Sequence, residues 1–249
     1  MFELLSKSDI EKMRIVGRIA AEILARLGEK VREGQNTRAL DEAAARFMTR
    51  RGVRSSQLGY LGFPAHICTS RNQVVCHGIP NRDEVLRAGD IVNLDLTIEK
   101  HGVHADTSKT FTIGKVTDDI RRLLEGAEQS LEDAIAVVSA RARVGDIGAA
   151  VSRTAADRDL RVVRDYCGHG IGRRMHMPPE IPHVGHPGRG LRLRQGMTFT
   201  IEPMLNLGSD ACRRLTDGWT VETADGSYSA QFEHTVLVTR DGCEVLTRL

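Results

Sequence analysis

From Asn93 to Ile98 the chain alternates, with Leu94, Leu96 and Ile98 on one side and Asn93, Asp95 and Thr97 on the other. This is the period-2 pattern of a half-buried strand. Glu99-Lys100-His101-Gly102 reads as a turn, and Val103 to Asp106 as a return strand. If Ile98 pairs with Val103, Asp95 falls directly opposite Asp106, with Cβ atoms roughly 4.5–5.5 Å apart, where like charges destabilise. A shared proton or a cation would relieve that repulsion; a longer turn with two solvated aspartates would avoid it. Elsewhere the period is helical. Leu40, Ala44, Phe47 and Met48 mark one face of a helix over 37–51. Ser8 followed by Glu11 is a capping-box signature opening another over 8–27. Further helices are expected over 117–140 and 147–157, and strands around 65–77, 90–98, 103–113, 197–207, 219–224 and 228–238.

The pattern occurs twice. Residues 31–53 resemble 142–163, "CHGIP" (76–80) is echoed by "GHGIG" (168–172), and "LRAGDIVNLDL" (86–96) by "LRQGMTFTIEP" (193–203). Aligned on Gly89 and Gly196, Asp95 and Glu202 share one position. Each half then closes with a strand bearing a second acid, Asp106 or Glu233. The expected class is α+β: an internal pseudo-two-fold duplication whose antiparallel sheet is covered by helices on one face. No linker rich in Pro, Ser or Gly interrupts it, so one domain is expected over 1–249, with half-repeats of about 1–115 and 116–249.

Composition narrows the function classes. With 41% apolar and 27% charged residues the chain is an ordinary globular one. A net charge of +2 gives no bulk attraction to nucleic acid or to an acidic membrane. The short "RGLRLR" run at 189–194 lacks interleaved aromatics and reads as a solvated face. Five cysteines, odd in number and without CxxC spacing, suit free thiols in a reducing compartment. The first 27 residues carry charges from Lys7 onward with no apolar targeting core. No run approaches the roughly 20 apolar residues of a membrane span, so a cytoplasmic location is expected.

In a two-fold duplication, equivalent positions converge on the axis, which would gather Asp95, Asp106, Glu202 and Glu233 on otherwise apolar strands. Burying four unpaired anions costs several kcal/mol apiece, and two divalent cations would neutralise them. His169, between two glycines that let the backbone approach closely, completes the donor set. One nitrogen with four carboxylates suits Mn²⁺, Fe²⁺, Co²⁺ or Zn²⁺, with Ni²⁺ also admitted. Paired cations of this kind activate water for hydrolysis. The competing idea of a phosphate-cradling loop at "CGHGIGRR" fails, because the third glycine of a dinucleotide fingerprint comes one residue early and Met-Pro-Pro follows.

Taken together, "NQVVCHGIP", "NLDLT…HADTSKTF", "GHGIG…H", "TFTIEPM" and "SAQFEHT" resemble, in order and spacing, the signatures of type I methionine aminopeptidases, pita-bread metallopeptidases. The resemblance runs from about residue 8 to residue 247. It implies that Asp95 chelates one metal, His169 and Glu202 the other, and that Asp106 and Glu233 bridge them. It further implies that Glu202 moves protons, that His77 and His176 contact the substrate amide and the tetrahedral intermediate, and that Tyr60, Phe63, Cys68, His77 and Trp219 line the methionine pocket. Nascent polypeptide N-termini with a small second residue, met at the ribosome or after release, are the implied substrates of a monomer. Two positions depart from the family: "MPPEIPH" follows His176 where many relatives place an acid, and Phe63 stands where tyrosine is common.

Two rivals keep part of this pattern. An X-Pro aminopeptidase or prolidase would retain the five ligands but usually adds an N-terminal domain, whereas here the catalytic region begins almost at Met1. A non-catalytic binding protein of the same fold would be expected to lack ligands, and all five are present.

Overall fold

The computed structural model describes residues 4–249; Met1, Phe2 and Glu3, which begin the stretch read for a targeting signal, lie outside the described residues. Helices α1 (Lys7–Gly28), α2 (Thr37–Arg51), α3 (Asp118–Ala136) and α4 (Val144–Asp157) come in pairs, each pair beside its own run of strands. The first half contributes β1 (Arg54–Ser55), β2 (Cys68–Arg71), β3 (Val74–Cys76), β4 (Ile91–Lys100) and β5 (Val103–Thr112). The second contributes β6 (Arg161–Val162), β7 (Gly168–Gly170), β8 (Met177–Ile181), β9 (Thr198–Ile201), β10 (Met204–Asn206), β11 (Cys212–Arg214), β12 (Val221–Thr223), β13 (Ser229–Gln231), β14 (Glu233–Val238) and β15 (Cys243–Val245).

The alternation in β4 sorts its side chains as the sequence suggests. Val92, Leu94, Leu96 and Ile98 join one core with Met13, Val16 and Ile23 of α1 and Leu40 and Phe47 of α2. A second core packs Leu123, Leu131, Ile147 and Val151 of α3 and α4 against Phe199, Ile201 and Val236 of β9 and β14. The cores cross the expected boundary between half-repeats: Ile171, Leu237 and Leu246 join the first, and Ile91 joins the second. The main sheet runs β1-β4-β5-β14-β9-β7-β8, with β2 added on β4 and β15 on β14. Its halves meet at the antiparallel pair β5–β14, where Glu233 faces Ser108 and His234 faces Thr107. The helices pack against one face of the sheet, and the acids lie on the other.

The hairpin register differs from the expectation. The strands continue to Lys100 and Val103, which pair directly, so Asp95 faces Ser108 and Asp106 faces Thr97. The cause is a two-residue turn: His101 and Gly102 both take positive φ, 59° and 77°, as the tight hairpin turn whose twist matches the flanking strands requires. Asp95 and Asp106 are therefore diagonal neighbours on one face. Neither the longer turn nor the solvated aspartates occur.

Helix ends also shift. α1 is capped by Ser6, whose Oγ accepts from Asp9 N at 3.1 Å, rather than by Ser8. α4 begins a turn earlier than 147, because the Asp146 carboxylate accepts from Arg143 N at 2.7 Å. α3 starts after its Thr117 cap and ends at Ala136 rather than 140. Three expected strands are each split in two. Asn72, with φ 54°, breaks 65–77; Glu202-Pro203 separates β9 from β10, and Phe232 separates β13 from β14. At the last two breaks the chain leaves the main sheet for a three-stranded sheet, β13-β10-β6, or returns from it. Both glutamates sit at these crossings.

Candidate metal centre

Asp95, Asp106 and Glu233 stand on strands β4, β5 and β14, and Glu202 directly follows β9. Asp106 and Glu233 are 5% and 2% exposed, on adjoining strands β5 and β14. Ligand atoms of Asp106, His169 and Glu233 lie within 4.8 Å of one another. Asp95 and Glu202 fall outside this tightest group. Glu202 still reaches it, with Oε1 3.6 Å from His169 Nε2, while Asp106 Oδ2 is 3.8 Å from the same nitrogen.

The environment is costly for anions. Burial pushes Asp95, Glu202 and Glu233 well above the usual carboxylate range, and the neighbouring Asp106 charge adds to the shift in each. Burial raises Asp106 as well, against a hydrogen bond from Thr97. His169 is held neutral by burial, down to about 4. Its Nδ1 donates to Gly170 O at 3.1 Å, which leaves a lone pair on Nε2 facing two carboxylates. Such an arrangement is repulsive unless a proton or a cation lies among them. Asp106 Oδ1 is buried without any hydrogen-bond partner, a loss that coordination would repair. The donor set, one imidazole and several carboxylates, fits a divalent transition metal.

The supports are specific. Thr200 Oγ1 donates to Glu202 Oε1 at 2.8 Å and Gln231 Nε2 to Oε2 at 3.3 Å. His169 stands between glycines because its strand is crowded: a Cβ on Gly168 would overlap Thr200 O, and one on Gly170 would overlap Pro178 O. Gly170→Ala is expected to destabilise the protein by about 1–3 kcal/mol, read as a lower urea midpoint with an unchanged m-value.

All eleven residues singled out in the sequence line one cavity of about 820 Å³, within the size range of small-ligand sites. The acids and His169 share it with an apolar wall in which Phe63 and Trp219 meet edge to face, centroids 5.1 Å apart, beside buried Cys68. Burial and the Asp95 charge push the Cys68 thiol upward, which removes it as a nucleophile. His77 stands over Trp219 at 6.2 Å with a left-handed φ of 57°, backbone strain of the kind concentrated at functional sites. His176 Nδ1 lies 2.8 Å from Tyr60 Oη, and its ring packs 4.3 Å from that of His169.

Other lining residues escaped sequence reasoning. Met175, Tyr166 and Gln57 also line the cavity. Met175 had a readable signal, a thioether next to His176 in "MHM". Gln57 and Tyr166 had none. His183 is buried behind the site, its Nε2 accepting from Glu202 N at 3.1 Å.

The profile of metallopeptidase family M24 matches residues 11–240. The chain belongs to metallopeptidase family M24. Within it, methionine aminopeptidase B of Synechocystis is 50% identical over 249 residues, covering 98% of this chain and 91% of that one. The crystal structure of methionine aminopeptidase from Rickettsia prowazekii superposes with a TM-score of 0.97 at 44% identity, each chain covered completely. A prolidase from Pyrococcus furiosus shares the fold alone: TM-score 0.78 and 19% identity, with 99% of this chain but 65% of the prolidase covered. The M24 architecture is the α+β pita-bread fold that the sequence resemblance implied. As an M24 metallopeptidase the chain is a hydrolase of a family that uses divalent metal, and the site just described has the donors for it.

Proposed function

We propose that the chain removes the N-terminal methionine of nascent polypeptides, preferring a small second residue. One observation carries the reading: the acidic, histidine-containing floor and an apolar, sulfur-tolerant wall belong to the same cavity. Asp95, Asp106, His169, Glu202 and Glu233 would hold two divalent cations (Co, Mn, Fe, Zn or Ni), with Asp106 and Glu233 shared between them. Bound there, the cations supply Lewis acidity and make water a stronger acid.

The protein groups do the rest. Glu202, whose basicity burial raises, accepts the proton released as water attacks and returns it to the departing amine. Partial desolvation in the cavity brings His77 and the more exposed His176 down to about 4, so both are neutral at physiological pH. Where Tyr60 Oη donates to Nδ1 of His176, 2.8 Å away, Nε2 carries the proton and can donate toward oxygen as negative charge develops. Tyr60, Phe63, Cys68 and Trp219 enclose the methionine side chain. His176→Ala is expected to lower kcat by about 10²–10³-fold with metal content unchanged, as measured by metal analysis beside steady-state kinetics.

No helix among the described residues is long and apolar enough to cross a membrane, and the five cysteines are free thiols. The free thiols agree with a reducing, cytoplasmic compartment; a monomer working as one catalytic unit on nascent chains, at the ribosome or after release and with no need of nucleic acid, belongs to the same proposal. The deciding experiment supplies Met-Ala-Ser and Ala-Pro peptides, with and without chelator. Release of methionine alone, abolished by chelator, is the expected outcome. Cleavage of the Ala-Pro peptide instead would establish the prolidase-type reading, and no release in any divalent metal the binding-protein reading.

A further inference from the structure

Gln57 lies in the loop between β1 and the short 3-10 turn at Tyr60–Gly62, is 8% exposed, and reaches the wall of the cavity. Its Nε2 lies 3.2 Å from Asp95 Oδ1, 3.3 Å from Asp95 O and 3.5 Å from Cys68 Sγ. Its Oε1 accepts from Thr97 N at 3.4 Å. The Thr97 contact settles which end of the amide is nitrogen, since the opposite orientation would set Oε1 against two oxygens of Asp95. Cys68 and Asp95 are cross-strand partners in the β2–β4 pair, so one amide bridges a residue of the apolar wall to a carboxylate of the acidic floor. The loop is itself fixed. Gln57 N donates to Ser55 Oγ at 3.1 Å, and Ser56 N donates to Thr97 O at 2.9 Å.

We propose that Gln57 is a positioning residue for Asp95: by holding Oδ1 and the main-chain carbonyl together, it presents the other carboxylate oxygen to the cation. This rests on the metal-dependent reading of the site. A carboxylate on a strand has a broad terminal torsion, and a bidentate anchor of this sort confines it. Hydrogen bonds to metal-ligating carboxylates are worth about 10–100-fold in metal affinity.

The test titrates the chelator-treated, dialysed full-length protein with Mn²⁺ by calorimetry. Gln57→Leu, close to isosteric but without donors, is expected to weaken by about 10–100-fold the site that Asp95→Asn also weakens. In an Asp95→Asn background the same substitution is expected to change Mn²⁺ affinity by less than about twofold, because the residue through which Gln57 acts is already altered. Should Gln57→Leu fail to fold, Gln57→Asn, polar but one methylene short, is read by the same criteria. Undiminished Mn²⁺ affinity in the variant overturns the proposal, as does a loss that persists in full in the Asp95→Asn background. A wild-type chain that binds no Mn²⁺ removes the metal reading and the proposal together, whereas the first two outcomes leave the metal reading standing.

Discussion

Asp106→Ala is expected to lower kcat/KM for a Met-Ala-Ser peptide by at least about a thousandfold, and Glu233→Ala to do the same. Charge stabilisation by a hydrolytic metal centre is worth several kcal/mol, and each 1.36 kcal/mol is tenfold in rate, so about 4 kcal/mol gives this factor. The two side chains share the tightest ligand group with His169, and each is nearly inaccessible to solvent, so water cannot take over their role. Steady-state kinetics with metal analysis of the same samples checks the expectation. Full turnover by a variant stripped of metal would refute the hydrolytic scheme. Asp106→Asn adds a test of opposite sign. With one buried anion removed, the chelated protein is expected to become more stable, on the order of 1 kcal/mol or more, while the metal-supplemented protein becomes less stable.

Metal removal is the second large effect, and it depends on pH. The four carboxylates have folded-state affinities for protons raised by burial, and in Asp95, Glu202 and Glu233 by neighbouring acids as well. In the metal-free protein the native state therefore holds more protons than the unfolded chain. Their contribution to stability is present below the unfolded value of about 4 and is lost as pH rises through the raised folded values. Histidines 77, 169 and 176, pulled down to about 4 by partial desolvation in the cavity, act oppositely: their neutral folded forms favour the native state above about 6.5 and lose that advantage as pH falls. A bound cation requires ionised carboxylates and a neutral imidazole. The stabilisation gained on adding Mn²⁺ is thus expected to grow from pH 5 to pH 8, reaching about 2.7 kcal/mol per site at a hundredfold excess over the dissociation constant. Thermal melts with and without chelator measure it. Superimposable melts across that range would count against an acidic cluster held by cations.

Much of the architecture is legible in the chain because two periodicities carry it. Leu94, Leu96 and Ile98 announce which face of β4 is covered, and Leu40, Phe47 and Met48 do the same for α2. The repeated glycine before Asp95 and Glu202 places one acid of each half by register alone. What fails is governed by local backbone geometry. The sequence pattern makes the hairpin turn two residues too long, at Glu99 and Lys100, because His101-Gly102 lacks the asparagine that usually marks such a turn, although histidine is among the residues that tolerate positive φ. Strands of two or three residues, such as β6, β7 and β11, are too short for alternation to register. Gln57 and His183 reach the site from irregular segments, where no period exists to count; their positions follow from the β1–β4 pairing and from the loop after β8.

The seam between β5 and β14 has a further consequence. Asp95 and Asp106 come from one copy of the repeat, while His169, Glu202 and Glu233 come from the other. Neither half of the chain alone carries the full set of candidate donors. Within one chain the two copies need not stay alike: on the proposed reading, one histidine of the matched pair serves the substrate and the other the ions.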